Sequence, residues 1–307
     1  MRLFLSKILI FISVFFLSCE VEGQKQEESK STPESKVEHF QMPQLPDSIV
    51  FAGELIDFTD WDLKERLDKE LHAIVYYHNL IIPCLKRSTR FLPELERLMK
   101  ENNLPDDFKY LAIIESGLEN VTSPSGAQGF WQFMAATARE YEMTISEYID
   151  ERNDLAKSTP AAAKYIINAK DSMGSWVDAA ASFNRGEAGL KKDKKWQEAE
   201  SYFDTYMNTE TGRYVFRILA MKLIFEDPMK YGYDLKKIEQ YEPYETKSER
   251  VEEGILDVAH WSKEKGYNYK IVRKLNPWII GNRLPNRSGG YTILLPAKDE
   301  HFSNYKD

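Results

Sequence analysis

Cysteine is nearly missing: Cys19 and Cys84 are the only two in 307 residues. There is no zinc-type Cys/His cluster, no P-loop and no GxGxxG after a strand, so the usual metal, phosphate and dinucleotide signatures are absent. No cofactor and no metal are therefore expected. A basic excess is missing too. The formal charge is −8, and general nucleic-acid binding needs cationic surface to neutralise phosphates. Hydrophobic residues nevertheless make up 42% of the chain, which is enough for a real core and argues against global disorder.

No apolar run in the leader is long enough to span a bilayer. Ile8 to Leu17 is apolar except for Ser13, well short of the roughly 20 residues a spanning helix needs. It follows Arg2 and Lys7, so residues 1–18 read as a signal peptide. The ending Phe16-Leu17-Ser18-Cys19 resembles a bacterial lipobox, with Phe16 where Leu is usual. An ordinary signal peptide with a chance Cys is the alternative. The polar segment after Cys19 favours lipidation at Cys19, and hence an exported lipoprotein anchored in the cell envelope, at the outer membrane facing the periplasm. Cleavage before Cys19 removes Arg2 and Lys7 and takes the charge to −10. Cys84 is then alone, no internal disulfide can form, and a small apolar role suits it.

Residues 19–48 are rich in Glu, Lys, Ser, Gln and Pro and nearly free of aromatics. Such a composition cannot bury a core and reads as a flexible tether. From Ile49 to about residue 230 the chain reads as helices. Trp61–Tyr77 has helical apolar spacing, Arg90–Met99 is a second helix, and a third begins at Pro105 with Asp106 and Asp107 in its first turn. Thr159-Pro160 opens another; Trp176–Phe183 and Thr211–Phe225 follow, and Pro228 ends the last. Residues 231–307 change texture: a helix at Leu256–Lys265, a turn at Lys274-Leu275-Asn276-Pro277 and a strand at Tyr291–Leu295. The expected fold is mainly α, a helical domain over 49–230 followed by a small α+β module.

One helix carries a carboxylate in an unusual place. Phe108, Leu111, Ala112 and Glu115 share a face at i, i+3, i+4 and i+7, and Leu118 continues the stripe. A carboxyl among apolar neighbours loses hydration, its pKa rises, and it can hold its proton near neutrality. A general acid for glycoside cleavage needs that property. A solvent-facing Glu at a helix end is the competing reading, and the helix alone favours it.

The following segments shift the balance. Glu115-Ser116, Ser123-Pro124-Ser125-Gly126-Ala127-Gln128-Gly129, Trp131-Gln132-Phe133-Met134, Asp150-Glu151-Arg152 and Phe183-Asn184-Arg185-Gly186 occur in that order. This series resembles the lytic transglycosylase domain of the soluble lytic transglycosylase and goose-type lysozyme group, over roughly residues 85–230. The resemblance implies a lysozyme-like catalytic domain acting on peptidoglycan glycan strands, with Glu115 as the catalytic acid. It implies that Gln132 and Met134 line the sugar groove, that Asn184 and Phe183 contribute to substrate binding, and that Ser116 and Gly129 serve backbone geometry. Tyr is usual where Phe183 stands, which removes one hydroxyl. Sugars also stack on ring faces, and Tyr110, Phe130, Trp131 and Phe183 fall in the block; Phe133 reads as core, and Trp131 stays open between core and groove.

Paired carboxylates serve ordinary glycosidases, yet Glu115 is the one acid embedded in the motifs. Glu119 is the spare candidate, directed toward solvent, whereas Asp150 and Glu151 are expected to pair with Arg152. A single acid suits chemistry in which the substrate's own hydroxyl replaces the second group. A water-using hydrolase and a catalytically weak wall-binding lipoprotein remain the alternatives. The C-terminal module resembles a LysM sugar-binding unit without its usual Gly-Asp-Thr-Leu start, which suggests structural support first and glycan binding second. If Cys19 is the anchor, Cys19→Ala should move the protein from the membrane to the soluble fraction; unchanged membrane association on fractionation would refute the anchor.

Overall fold

The computed structural model describes residues 42–297. The signal peptide, Cys19 and the stretch 19–41 of the expected tether lie outside the described residues, as do residues 298–307. The chain opens with an antiparallel hairpin, β1 (Ser48–Phe51) and β2 (Glu54–Asp57), paired in register from Ser48↔Asp57 to Phe51↔Glu54. Its two-residue turn, Ala52-Gly53, has both φ values positive, the geometry that matches the strands' right-handed twist. The hairpin fastens two helix starts. The Ala52 amide donates to Asp107 at 2.6 Å, and the Glu54 carboxylate accepts from the Trp176 amide at 2.6 Å and the Ser175 hydroxyl at 2.8 Å.

Eight helices follow: α1 (Trp61–Val75), α2 (His78–Glu101), α3 (Lys109–Ser116), α4 (Ala135–Glu140), α5 (Leu155–Met173), α6 (Trp176–Arg185), α7 (Glu187–Gln197) and α8 (Thr209–Glu226). The mainly helical expectation holds, with several boundaries corrected. The second helix begins twelve residues before Arg90, at His78, and holds Pro83 and Pro93 inside it. Each interior proline costs about 3 kcal/mol, and burial of Ile81, Cys84, Leu85, Leu95, Leu98 and Met99 along one face offsets it. The helix placed at Thr159-Pro160 starts earlier, because Asp154 caps the amide of Ala156. At Pro105 the signals are correct, but the first turn, Asp106–Phe108, is 3-10 before α3 begins.

Helix α8 is the central element. It packs on α1, α3 and α6 and is buried almost all round, including Tyr214, Phe216, Leu219 and Met221. Beside it, α5 and α6 meet through Ala161, Ala162, Ala179, Ala180 and Ala181, all buried. Small side chains let these helices approach closely. This core runs from Ile49 to Tyr233 and includes Cys84, whose thiol burial pushes up to about 11.

A second hydrophobic cluster belongs to the C-terminal part. There β3 (Thr246–Val251) and β4 (Tyr291–Pro296) pair antiparallel around α9 (Val258–Glu264) and α10 (Tyr269–Leu275). β3 is a strand where the residues of 231–307 suggested only the one at Tyr291–Leu295, and α10 ends at the expected turn. Ile149 from the helical part enters this second cluster. The join is extensive: the Asp150 amide donates to the Trp278 carbonyl at 2.8 Å, Ile280 to Tyr148 at 2.9 Å, and Arg287 pairs with Glu151 at 2.8 Å.

Arg152 locks the loop between α3 and α4. Its guanidinium, almost wholly buried, donates to both Asp150 oxygens (2.9 and 2.6 Å) and to the Gly126 carbonyl, the Phe133 carbonyl and Gln128 Oε1 (2.9–3.0 Å). The Arg152 carbonyl in turn presses on Gly129, at φ 84°, where an added Cβ would lie 1.9 Å from its oxygen. Gly126 has the same φ and open space around it. Gly129→Ala should therefore cost about 3 kcal/mol or more, read as a lower urea midpoint, against about 1–2 kcal/mol for Gly126→Ala. Equal losses would show that the close approach to Arg152 does not matter.

Candidate active site

The apolar stripe on α3 is as the spacing predicts. Phe108, Leu111, Ala112 and Leu118 are buried, and Glu115 follows them onto a face that is half-buried. Helix α3 ends one residue later. Gly117 takes the left-handed cap at φ 61° and donates to the Ile113 carbonyl at 2.8 Å. Glu115 thus sits in the last turn, near the negative end of the helix dipole, which disfavours a carboxylate.

Burial raises the Glu115 pKa above the ordinary carboxylate range, and the charge of Glu210 adds to it. Two groups oppose this: a hydrogen bond donated by the Tyr214 hydroxyl and the charge of Arg217. Tyr214 and Arg217 both come from α8, one turn apart. The Tyr214 phenol is itself buried beside Glu115, which pushes its pKa well above its ordinary value, so it stays a donor. Nothing in the local sequence signals this contact across 99 positions; an apolar helix interrupted by Tyr214 and Arg217 at i, i+3 was the one trace available.

The other predicted residues divide into two groups. Met134 is 46% exposed beside the N-terminus of α4 and presents its thioether to solvent. Phe183 is half-buried, with its ring edge-on to Phe133 (5.6 Å) and Tyr165 (5.3 Å). The Asn184 carbonyl oxygen accepts from Thr211 at 2.9 Å, and its amide reaches Glu210 at 3.4 Å, which ties the end of α6 to the start of α8. Ser116 and Gln132, by contrast, use their side chains on the backbone. Ser116 donates to the Ala112 carbonyl at 3.0 Å. Gln132, at φ 49°, donates its amide to the Val121 and Gly129 carbonyls at 2.9 and 2.8 Å.

Several expectations change. Trp131 is core, fully buried with its indole on Thr159 at 3.1 Å. Phe130 and Tyr110 are buried as well, so Phe183 is the one ring of the four with exposed surface. Glu119 is bound to Arg87, which also holds the Gly117 carbonyl at 3.0 Å. Glu151 pairs with Arg287 and not with Arg152, because the C-terminal module supplies a nearer cation. Tyr165, whose ring meets Phe183 edge-on at 5.3 Å, donates to the Ser182 carbonyl at 2.9 Å and adds to the upward shift of Tyr214. Among the described residues no group of three or more His, Cys, Asp or Glu could hold a metal ion.

The hydrogen bond from Tyr214 stabilises ionised Glu115, so Tyr214→Phe should raise its pKa further. The protonated acid would persist to higher pH, and the alkaline limb of any Glu115-dependent activity should move upward while the maximal rate falls about ten-fold through lost positioning. A pH–rate profile checks this; an unmoved alkaline limb would separate Tyr214 from the titration of Glu115.

Residues 94–205 match the family model of the transglycosylase SLT domain, and residues 247–299 match the soluble lytic transglycosylase C-terminal LysM-like domain. The chain is 24% identical over 317 residues to membrane-bound lytic murein transglycosylase D of Escherichia coli K12, covering 95% of this chain and 68% of that protein. The same protein of Escherichia coli O6:H1 aligns identically. An inactive mutant of the lytic transglycosylase Slt from Pseudomonas aeruginosa is 18% identical with a TM-score of 0.37, covering 60% of this chain and 31% of that one. Glu115, Gln132, Met134, Phe183 and Asn184 lie inside the first match, and Tyr214 beyond it. Chain order, motifs and both matches agree: this protein carries a transglycosylase SLT domain followed by a LysM-like C-terminal domain.

Proposed function

We infer that the protein cleaves the β-1,4 bond between MurNAc and GlcNAc in peptidoglycan and leaves 1,6-anhydro-MurNAc ends. The observation that carries this is Glu115, a half-buried carboxyl with a raised pKa, hydrogen-bonded by Tyr214 in the last turn of α3. Protonated Glu115 gives its proton to the glycosidic oxygen as the C1–O bond breaks. The resulting carboxylate, held by Tyr214 and Arg217, takes the proton of the MurNAc 6-hydroxyl as that oxygen bonds to C1. The acid is regenerated and no water is consumed.

Glu210 supports a second reading. Its charge reaches Glu115, and an exposed carboxylate could activate water for hydrolysis. Its hydrogen bond to Asn184 and its exposure favour a supporting role. Met134, Phe183 and Asn184 then contribute to the sugar groove, while Ser116 and Gln132 fix the backbone that forms it. The helical part over 49–230 acts as the catalytic domain and 231–307 as its LysM-like companion. Lipidation at Cys19 would hold the enzyme at the envelope. No helix among the described residues is long and apolar enough to cross a membrane.

Mass spectrometry of digested peptidoglycan separates the readings: anhydro ends for the transglycosylase, reducing ends for the hydrolase, no new ends for a binding lipoprotein. Glu115→Gln should lower the rate about 10²–10⁴-fold or more. It should not lower stability. The raised pKa means the folded state binds the Glu115 proton more tightly than the unfolded state, so stability from this group is present at low pH and is lost as pH rises from the ordinary carboxylate range to the raised value. Gln cannot ionise, so the variant should melt no lower than the parent at neutral pH. A folded Glu115→Gln protein with normal turnover would overturn the assignment.

A further inference from the structure

The backbone is strained directly behind Glu115. Gly117 and Leu118 are consecutive and both left-handed, each at φ 61°. A residue with a side chain adopts that conformation only at a cost, yet Leu118 is fully buried in it. Such a residue persists where its surroundings over-determine it, and strain of this kind gathers at functional sites. Helix α3 is also short and ends here. The last carbonyls of a helix have no partner within it, and helix ends fray.

Side chains from two other helices hold this end. Arg217 of α8 donates to the Ile114 carbonyl at 3.4 Å. Arg87 of α2 donates through Nη1 to the Gly117 carbonyl at 3.0 Å, and its Nη2 pairs with Glu119. One guanidinium thus spans the strained residue, from Gly117 before it to Glu119 after it. Helix α2 presses on the same turn through Cys84, whose Sγ lies 3.3 Å from where a Cβ on Gly117 would stand. From within α3, the Ser116 hydroxyl accepts from the Leu118 amide at 3.2 Å and donates to the Ala112 carbonyl at 3.0 Å. The ionisable groups that act on Glu115 directly are Tyr214, Arg217 and Glu210, all from α8; Arg87 is not among them and works on the backbone.

We propose that Arg87 is a positioning residue: by clamping the left-handed pair Gly117-Leu118 it fixes the last turn of α3 and so holds the Glu115 carboxyl against the Tyr214 hydroxyl. The proposal rests on the peptidoglycan reading above, in which Glu115 is the acid. Glu115 must meet Tyr214 and a glycosidic oxygen in one geometry, and a small displacement of a reacting group costs rate steeply. Without Arg87, Leu118 can relax toward an ordinary conformation, and the turn that ends α3 loosens beside the acid.

The test uses the full chain with Arg87→Met, Arg87→Lys and Glu119→Gln, each checked for folding by circular dichroism and assayed on peptidoglycan. Met holds no carbonyl, so kcat should fall about ten-fold or more with KM changed by less than about two-fold. Lys keeps the charge but ends one bond short and cannot fork, so a loss of about three-fold is expected. Glu119→Gln removes the ion pair and leaves the Gly117 bond, so kcat should stay within about two-fold of the parent. An Arg87→Lys protein with the parent's kcat overturns the proposal. So does a Glu119→Gln protein as slow as Arg87→Met, because the ion pair would then carry the effect. A second measurement does not depend on turnover: carbon NMR of the Glu115 carboxyl against pH, assigned with Glu115→Gln. Burial is the largest influence on that carboxyl, and a loosened turn admits water. Its midpoint in Arg87→Met should therefore fall toward the ordinary carboxylate range. That fall supports the positioning role even if the parent leaves peptidoglycan uncut, a result that would sink the proposed activity alone. An unmoved midpoint overturns the role even if peptidoglycan is cut, and Arg87→Lys gives the same reading if Arg87→Met does not fold.

Discussion

The path of the loop between α3 and α4 depends on one buried ion pair, Arg152 with Asp150. Both partners are almost wholly out of water, and such a pair is tolerable only when every remaining donor is satisfied. Arg152 meets that condition by spending its other N–H groups on Gly126, Phe133 and Gln128. The desolvation demand of one guanidinium therefore dictates the path of a loop that has no regular secondary structure of its own. Gln132 and Met134 are carried by that loop, and their positions follow from it. The same turn continues into Glu151, which takes Arg287 from the C-terminal module. One stretch of three residues thus organises the loop between α3 and α4 on one side and fastens the LysM-like domain on the other.

Glu115 illustrates a balance of opposing terms. Burial and the helix C-terminus favour the protonated acid, while Tyr214 and Arg217 favour the carboxylate. A site built from the first pair alone would hold its proton too firmly to release it. One built from the second alone would already have lost it. The acid-then-base role proposed for Glu115 needs both, because the best catalytic pKa lies near the working pH. The opposing groups come from α8, a helix packed into the core along most of its length, so the balance is set by core packing and not by a mobile surface loop.

The LysM-like domain is joined to the helical domain by backbone hydrogen bonds and an ion pair, and not by a simple linker. Ile149 packs into its hydrophobic cluster, and Gly281 approaches Tyr148 so closely that an added Cβ would lie 2.5 Å from its ring. Structural support, the first role anticipated for the module, has a concrete basis in these contacts. The contacts also place the module against the turn that anchors the loop between α3 and α4.

How much was legible in the residues themselves follows from the range of each effect. Periodicity is local, so the apolar stripe through Phe108, Leu111, Ala112 and Glu115 could be read directly, and with it the unusual position of the carboxyl. Composition and turn residues likewise announced a helical part and a smaller mixed part. The starts of α2 and α5 lie earlier than the local residues suggest: α5 begins at Leu155 behind its Asp154 cap and holds Pro160 inside it, and α2 begins at His78 and buries Ile81, Cys84 and Leu85. Trp131 could not be assigned from sequence, since an aromatic in a motif looks the same whether it faces sugar or core; the indole bond to Thr159 decided it. The sequence by itself determined the type of fold and which carboxyl stands out. Tertiary structure alone decided what surrounds that carboxyl, because Tyr214 and Arg217 reach it across about a hundred residues, and electrostatic and hydrogen-bond terms depend on distance in space and leave no periodic trace along the chain.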